Sequence, residues 1–255
     1  MMTSAFLISL PHCSSKIPDE LSVKFALNKY QILESEDFGT KEIFSDLSIP
    51  AIQAQFSRLV VDLNRNSDNK DAKGVVAKTD YNGRQIYKSG QYPDLLAIDR
   101  LIDTYYRPYH NTLEKAFARP EIKFLFDCHS LEGIGPKDAP DAGSPRKDII
   151  LSNNGDTKGN FDPALGPVSC SKEKVLLIKS ICEAAGFCVS INHPYRGGFV
   201  TVHYGQKYPD KDVLQIELNQ DLFMNPDGNT ADHGKIKMIR NKFIGIFKEL
   251  SECFS

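Results

Sequence analysis

The sequence has no excess of charge of either sign, no long hydrophobic run, no internal repeat and no low-complexity tract. Its 255 residues carry 31 Lys and Arg against 33 Asp and Glu, a formal net charge of -2. This balance argues against a nucleic-acid surface and against a polybasic membrane anchor. With 41% hydrophobic residues, the chain is long enough for one large core. We therefore expect a single domain over residues 1–255 that binds a small molecule; its oligomeric state stays open.

Paired cysteine motifs are also absent. None of the six cysteines forms a CxxC pair or a zinc-ribbon spacing, so reduced thiols are expected. The apolar start at residues 5–10 lacks a basic region and is too short to span a bilayer or to act as a secretory signal. We expect a cytoplasmic location.

Short β-rich runs alternate with longer helical patterns, which is typical of a layered α/β fold with a largely parallel sheet. Predicted strands cover residues 5–10, 59–63, 122–127, 149–151, 187–191, 199–203 and 213–218. Helical periodicity is clearest over residues 93–118, and further helices are predicted over 36–47, 171–185 and 230–254. Segments 64–74 and 133–148 are rich in Gly, Pro, Asp and Asn and predict surface loops.

Two of the six histidines directly follow predicted strands. His12 lies in LISLPHCSS and His129 in IKFLFDCHS. Because parallel strands share one carboxyl edge, where open α/β proteins bind ligands, both imidazoles can face one site. A catalytic zinc takes about three protein ligands and keeps a position for water. The alternative is that both histidines merely cap or pack strand ends.

A carboxylate ligand is available at the acidic start of the predicted helix 36–47. Glu34, Glu36 and Asp37 lie there, although acidic residues also favour helix N-termini for electrostatic reasons alone. Glu36 and Asp37 are adjacent, so on a helix they point about 100° apart and one of them should face a metal. The residues alone leave open which one.

Asp62 is a candidate to support a metal-bound histidine. Such imidazoles usually donate their second N–H to a carboxylate or a carbonyl. If residues 59–63 form a strand, alternation places Arg58, Val60, Asp62 and Asn64 on one face and an apolar set on the other.

Seven segments, in order, resemble the N-formylglutamate amidohydrolase family, a branch of the zinc-peptidase-like (phosphorylase/hydrolase-like) fold. They are PHCS (11–14), SEDFGTKEIF (35–44), VDLNR (61–65), YYRPYHNTL (105–113), FDCHS (126–130), HPYRGGFVTVHYG (193–205) and LQIELNQ (214–220). VDLNRNS also resembles the zinc-carboxypeptidase segment whose Asp supports a zinc ligand and whose Asn–Arg pair holds a substrate carboxylate. The resemblance implies a three-layer α/β/α fold with a mostly parallel mixed sheet.

The resemblance also implies the residues of the site. They are the ligands of one zinc ion, His12, Asp37 and His129, with Asp37 preferred to Glu36; the supporting Asp62; the general base Glu217; and the carboxylate clamp Asn64 and Arg65. Arginine suits a clamp because its planar fork binds carboxylate through two parallel hydrogen bonds. Arg196, beside Gly197 and Gly198, is a candidate for a second carboxylate, and either Arg58 or Arg196 is expected to stabilise the oxyanion.

The predicted reaction is hydrolysis of the amide bond of an N-acyl amino acid, with N-formyl-L-glutamate as the first candidate. Metal-activated water would attack, and Glu217 would take its proton. Cys13, Ser14 and Gln220 depart from the family's usual residues, which leaves the acyl group and the amino acid open. The alternatives are a metallocarboxypeptidase or an amidase of peptides or cell-wall fragments, and a non-catalytic protein that binds carboxylates.

Other reactive side chains are expected to be structural. Cys128 and His129 are strand neighbours and point to opposite faces, so they cannot form a catalytic pair. His110 is expected to pack within its helix. His203, in the predicted strand 199–203, either lines the site or is a satisfied sheet residue.

Overall fold

The fold is built on a six-stranded sheet, seen in a computed structural model that describes residues 5–45, 47–225 and 230–254. The strands are β1 (Phe6–Leu10), β2 (Ala51–Gln53), β3 (Phe124–Leu131), β4 (Ile149–Ser152), β5 (Val189–Ile191) and β6 (Asp212–Asn219). Their order is β2-β1-β3-β6-β4-β5. All neighbours pair in parallel except β4 and β6, which are antiparallel. The two edge strands, β2 and β5, are three residues long.

Helices cover both faces of the sheet. They are α1 (Asp19–Ser22), α2 (Lys29–Leu33), α3 (Thr40–Phe44), α4 (Leu95–Leu101), α5 (Arg107–Phe117), α6 (Lys172–Ala184), α7 (Phe199–Lys207) and α8 (His233–Cys253). A π-helical turn, Ile102–Tyr106, joins α4 to α5, and a 3-10 turn, Gln220–Leu222, follows β6. In the described ranges, no helix is both long and apolar enough to cross a lipid bilayer.

Alternation along the central strands separates two layers of core. Phe126 of β3 packs on Phe247 of α8, with ring centroids 5.0 Å apart. The opposite face of the sheet carries polar groups that meet α5 and α7: the hydroxyls of Ser9 and Tyr109 are 2.9 Å apart, and Thr201 donates to Asp127 over 3.3 Å. The three-layer α/β/α arrangement with a mostly parallel mixed sheet is confirmed.

Two predicted strands are wrong. Residues 59–63 form turns, because the N–H groups of Val60 and Asp62 bond to the carbonyls of Ser57 and Val75 rather than to a neighbouring strand. All the apolar residues of this segment are buried, so the expected alternation of faces does not exist. Residues 199–203 form the start of α7, and the predicted position of His203 in a strand is therefore also wrong.

The other elements follow the sequence pattern more closely. The helical periodicity of residues 93–118 corresponds to α4, the π-turn and α5. The predicted helices 171–185 and 230–254 correspond to α6 and α8, with Ser171 and Asp232 as their N-caps. The predicted helix 36–47 is shorter and begins at Thr40. Strand β2 was not predicted.

Candidate active site

The parallel pairing of β3 with β6 brings two pairs of polar residues together at the carboxyl edge of the sheet. His129 lies in register with Glu217, and Asp127 with Gln215. Residues two apart on a strand share a face, so these four side chains lie on the polar face. Strand β1 runs beside β3 and delivers His12 just beyond its own end.

His12, Asp37 and His129 form a buried cluster whose potential ligand atoms all lie within 4.8 Å of one another. Oδ2 of Asp37 is 2.6 Å from Nδ1 of His129 and 3.4 Å from Nδ1 of His12. The Nδ1 atom of His12 is buried without a hydrogen-bond partner among the described residues. Asp37, rather than the adjacent Glu36, belongs to this group.

The backbone before α3 holds Asp37 in place. Its N–H donates to the carbonyl of His12 over 3.0 Å, and its own carbonyl accepts from the hydroxyl of Thr40. Gly39, which follows two residues later, has a φ of +77°, and a Cβ there would lie 2.7 Å from the ring of Phe223. The turn between Asp37 and α3 therefore requires glycine at position 39.

Each histidine also contacts neighbouring side chains through its Nε2 atom. Nε2 of His12 lies 2.7 Å from Oδ1 of Asp62, whose other oxygen accepts from Arg58 over 2.8 Å. Nε2 of His129 lies 3.2 Å from Oδ2 of Asp127 and 3.0 Å from the side-chain amide of Asn64. These contacts leave the Nδ1 atoms of both rings directed toward Asp37.

The donor set fits a zinc ion. Two imidazoles and one carboxylate are ligands typical of a catalytic zinc. The unpartnered Nδ1 of His12 offers a free lone pair when its Nε2 donates to Asp62. Burial alone would raise the pKa of Asp37, but the two imidazoles in their charged form lower it below its ordinary value, and a divalent cation in place of their protons would act in the same direction. The cluster can therefore present an ionised carboxylate and two nitrogen ligands to a divalent cation.

Glu217 is a buried carboxylate beside this cluster. Burial, together with the nearby Asp37 and Asp127, raises its pKa to about 8, although His129 and Arg58 act in the opposite direction. Its Oε1 accepts a hydrogen bond of 3.0 Å from the side chain of Gln215. A metal cation at the cluster would lower this pKa further toward the ordinary range. Glu217 is thus a carboxylate whose proton affinity suits general-base chemistry near neutral pH.

A pocket of about 200 Å³ opens above the cluster and includes the predicted arginines in its lining. Arg58 is largely buried and engaged with Asp62, and it lies 3.6 Å from Asp37. Arg65 is 39% exposed and donates to the hydroxyl of Tyr81 over 2.8 Å. Arg196 is exposed and forms no ion pair within the described part of the chain. Arg65 and Arg196 can therefore accept an anionic ligand.

Asn64 lines the pocket, but its amide is engaged inside the protein. Its Oδ1 accepts from the N–H of Val200 over 2.8 Å, and its Nδ2 lies within hydrogen-bond distance of Asp127 and His129. The predicted partner of Arg65 in a carboxylate clamp thus joins the start of α7 to the cluster instead of facing the pocket with a free amide.

The π-helical turn and α5 support the loop that carries Asp62, Asn64 and Arg65. The hydroxyl of Tyr106 donates to the carbonyl of Arg65 over 2.8 Å, and Nε2 of His110 lies 2.9 Å from the carbonyl of Leu63. His110 is therefore hydrogen-bonded and packed, in the structural role expected for it.

Sequence reasoning missed three residues around the site. Asp127 and Gln215 precede His129 and Glu217 by two positions, and the two-residue period of a strand could have identified them. Tyr81, which lines the pocket and lies 5.0 Å beneath the guanidinium of Arg58, sits on a loop and carries no such signal. His203 stacks on Phe199 within α7 and is not part of the pocket lining.

Comparison with known proteins identifies a family and a fold. A model of the N-formylglutamate amidohydrolase family matches residues 4–224. Two curated relatives named N-formylglutamate deformylase are similar over 232 residues. One is from Pseudomonas aeruginosa, at 28% identity over 86% of this chain and 82% of its own. The other is from Pseudomonas putida, at 29% identity over 86% of this chain and 81% of its own.

Two solved structures share the fold. The crystal structure of an N-formylglutamate amidohydrolase from Ralstonia eutropha has a TM-score of 0.78 and 19% identity, and the match covers 97% of this chain and 93% of the other. A gene product from Agrobacterium tumefaciens has a TM-score of 0.70 and 18% identity, with coverage of 98% and 92%. At these identities the likeness extends to the fold alone.

Proposed function

The chain belongs to the N-formylglutamate amidohydrolase family, and on that premise we propose that it hydrolyses N-formyl-L-glutamate to formate and glutamate with one bound zinc ion. The observation that carries the proposal is the buried group His12, Asp37 and His129 with Glu217 directly in register beside it. A protein that only binds carboxylates has no use for a buried base next to a set of metal ligands.

His12, Asp37 and His129 would hold the zinc. A zinc ion there would act as a Lewis acid that polarises the scissile carbonyl and lowers the pKa of water to about 7. Asp62 keeps the ring of His12 in one orientation by accepting from Nε2. Asp37 provides the charge that partly neutralises the cation.

Glu217 transfers the proton of the attacking water. Its carboxylate takes a proton from the attacking water and delivers it to the nitrogen of the leaving amine. Because burial raises the pKa of Glu217 and neighbouring cations lower it, the residue can both accept and release a proton near neutrality. The low exposure of the site strengthens the interactions that charges make there.

The arginines of the pocket orient the substrate. Arg65 and Arg196 are the pocket cations with exposed guanidinium groups, and we assign to them the carboxylates of the substrate. Arg58 lies 3.6 Å from Asp37, so its charge is close to where an oxyanion would form. A donor at that position typically contributes about 3 kcal/mol to the transition state.

The test combines metal content with formate release from N-formyl-L-glutamate. Protein purified without chelator should hold about one zinc per chain. His129→Ala should lose both metal and activity, because one of three ligands is removed. Glu217→Gln should keep the metal while kcat falls by about 10³-fold, because the base is gone. His233→Ala, at an exposed position on α8, is the matched control and should behave as the unmodified protein.

Two outcomes would contradict the proposal. A fully active Glu217→Gln would remove the assigned base, and an absence of zinc after supplementation would remove the metal. A parallel panel of N-formyl-aspartate, N-formyl-leucine and N-acetyl-glutamate tests the substrate. Equal rates with the leucine and glutamate compounds would show that the side-chain carboxylate is not recognised.

A further inference from the structure

Gln215 is a buried side chain that bonds both to Glu217 and to the loop before α7. It lies on β6 with 2% of its surface exposed, on the same face as Glu217. Its Nε2 donates to Oε1 of Glu217 over 3.0 Å, and its Oε1 accepts from the N–H of Gly198 over 2.7 Å. Each polar atom of its amide therefore has a defined partner.

We propose that Gln215 is a positioning residue that sets the orientation of the Glu217 carboxylate and ties it to the loop that carries Arg196. The inference rests on the proposed role of Glu217 as the general base. The one N–H group that Gln215 directs at Oε1 fixes that oxygen, and the second oxygen stays available for the proton of the attacking water.

The orientation of the Gln215 amide is determined by its surroundings. A backbone N–H such as that of Gly198 can only donate, so the atom facing it must be the oxygen of Gln215. The nitrogen of the same amide must then face Glu217. Reversal would place two donors together at Gly198 and two acceptors together at Glu217. The hydrogen bond to Glu217 is thus imposed by the loop, and the loop in turn is held by β6.

The loop has little freedom to adjust at this point. A Cβ on Gly198 would lie 2.3 Å from the side-chain nitrogen of Asn64, and Oδ1 of Asn64 accepts from the N–H of Val200. Gln215 and Asn64 therefore accept hydrogen bonds from the N–H groups of Gly198 and Val200, two residues apart at the start of α7. Arg196, two residues before Gly198, is carried by the same loop, so the base and a substrate-binding cation share one support.

The experiment separates the two hydrogen bonds that Gln215 makes. Gln215→Met has a similar length and removes both hydrogen bonds. Gln215→Glu keeps an acceptor for Gly198 and loses the donor to Glu217. Ser152→Ala is the matched control: the hydroxyl of Ser152 donates to the carbonyl of Tyr195 in the same loop over 2.8 Å but is not bonded to Glu217. We would measure kcat, KM and zinc content, and solve crystal structures of the variants.

Both Gln215 variants are expected to lower kcat by about 10- to 100-fold, the cost of a misplaced catalytic group. In Gln215→Glu, which keeps the bond to Gly198, KM should stay within about twofold. The zinc content should be unchanged in both variants, and Ser152→Ala should keep its kcat. The crystal structure of Gln215→Met should show the Glu217 carboxylate rotated. If Gln215→Met does not fold, Gln215→Glu carries the test.

Three results would overturn the inference: an unchanged kcat in both Gln215 variants, a rise in KM alone, or an equal loss in Ser152→Ala. The crystal structures separate this inference from the proposed function. If the unmodified protein releases no formate, the proposed function fails, whereas an unmoved Glu217 in Gln215→Met overturns the positioning role whatever the activity.

Discussion

At the scale of single residues, the ring of His12 in the proposed zinc site is held by the carboxylate of Asp62. Asp62 accepts from Nε2 of His12, from Arg58 and from the N–H of Asn64, at 2.7, 2.8 and 2.9 Å. Burial would raise the pKa of Asp62, but Arg58 and His12 hold it well below the ordinary value. An ionised Asp62 fixes the ring of His12 and increases its basicity as a ligand.

Asp62→Asn should therefore weaken zinc binding by about 10- to 100-fold. The amide keeps the size of the side chain but has one oxygen in place of two, so it cannot serve both His12 and Arg58. Competition with a chromophoric chelator measures the Kd. Asp103→Asn, which alters an exposed carboxylate paired with Arg107, is the control, and equal affinities in the two variants would contradict this account.

The site residues could be predicted where their type and their position carried information together. His12 follows β1 and His129 lies near the carboxyl end of β3, and the structure brings them together with Asp37. The amide of Asn64 was assigned to the substrate but is engaged by Val200 and Asp127, because the partners of a side chain depend on segments far away in the sequence. For the same reason, the hydrogen bond between Gln215 and Gly198 could not be predicted from the sequence.

At the scale of elements, a long helical pattern was easier to predict than a short apolar run. The long helical pattern of residues 93–118 was recognisable, since several turns repeat the same spacing. The five-residue runs 59–63 and 199–203 are short and apolar, and a buried turn, strand or helix can each accommodate such a run. The N–H groups of Gly198 and Val200 at the start of α7 donate to Gln215 and Asn64, and these partners are not neighbours in the sequence.

Helix α5 should contribute a pH-dependent part of the folding free energy through His110. Burial lowers the pKa of His110 from 6.5 to about 4, so the folded state keeps the ring neutral while the unfolded chain takes up a proton. This contribution is present above pH 6.5 and is lost as the pH falls toward 4, by roughly 3 kcal/mol at most.

His110→Gln should flatten this dependence, because glutamine does not titrate. Urea denaturation at pH 7 and at pH 4.5 measures the free energy of unfolding, and the fall between the two should be smaller in the variant than in the unmodified protein. His233→Gln, at an exposed position, should leave the fall unchanged. Parallel curves for His110→Gln and the unmodified protein would contradict the prediction.

At the scale of the whole molecule, the cluster joins three distant parts of the chain. Its members follow β1, precede α3 and lie within β3. Burial and the nearby carboxylates raise the pKa of Glu217, beside the cluster, to about 8, so a bound cation would favour its ionised form in the folded state. Zinc should therefore stabilise the fold as well as serve the reaction.

Thermal unfolding should respond to zinc accordingly. At a free concentration 100 times the Kd, binding to the folded state alone adds about 2.7 kcal/mol of stability, and chelator should reverse the increase in Tm. His12→Ala should show no such increase. Magnesium, which prefers oxygen ligands, should have little effect on either protein. An equal response of His12→Ala and the unmodified protein to zinc would place the ion elsewhere.

The layered α/β class and the parallel character of the sheet were predictable because strands and helices alternate along the chain. The order of strands was not, since β4 enters between β6 and β5 and runs against β6. Strand β4 follows a long loop. The residues of this loop predict turns, but they do not indicate where in the sheet the next strand will pair.

The brevity of β2 and β5 has a consequence for the protein in concentrated solution. A free sheet edge is a template on which another chain can add a strand, and long flat edges promote aggregation. Here both edges are three residues long, while the eight-residue strands β3 and β6 lie in the interior. The segments most able to nucleate intermolecular pairing are thus enclosed by their own neighbours, and only short ladders face other molecules.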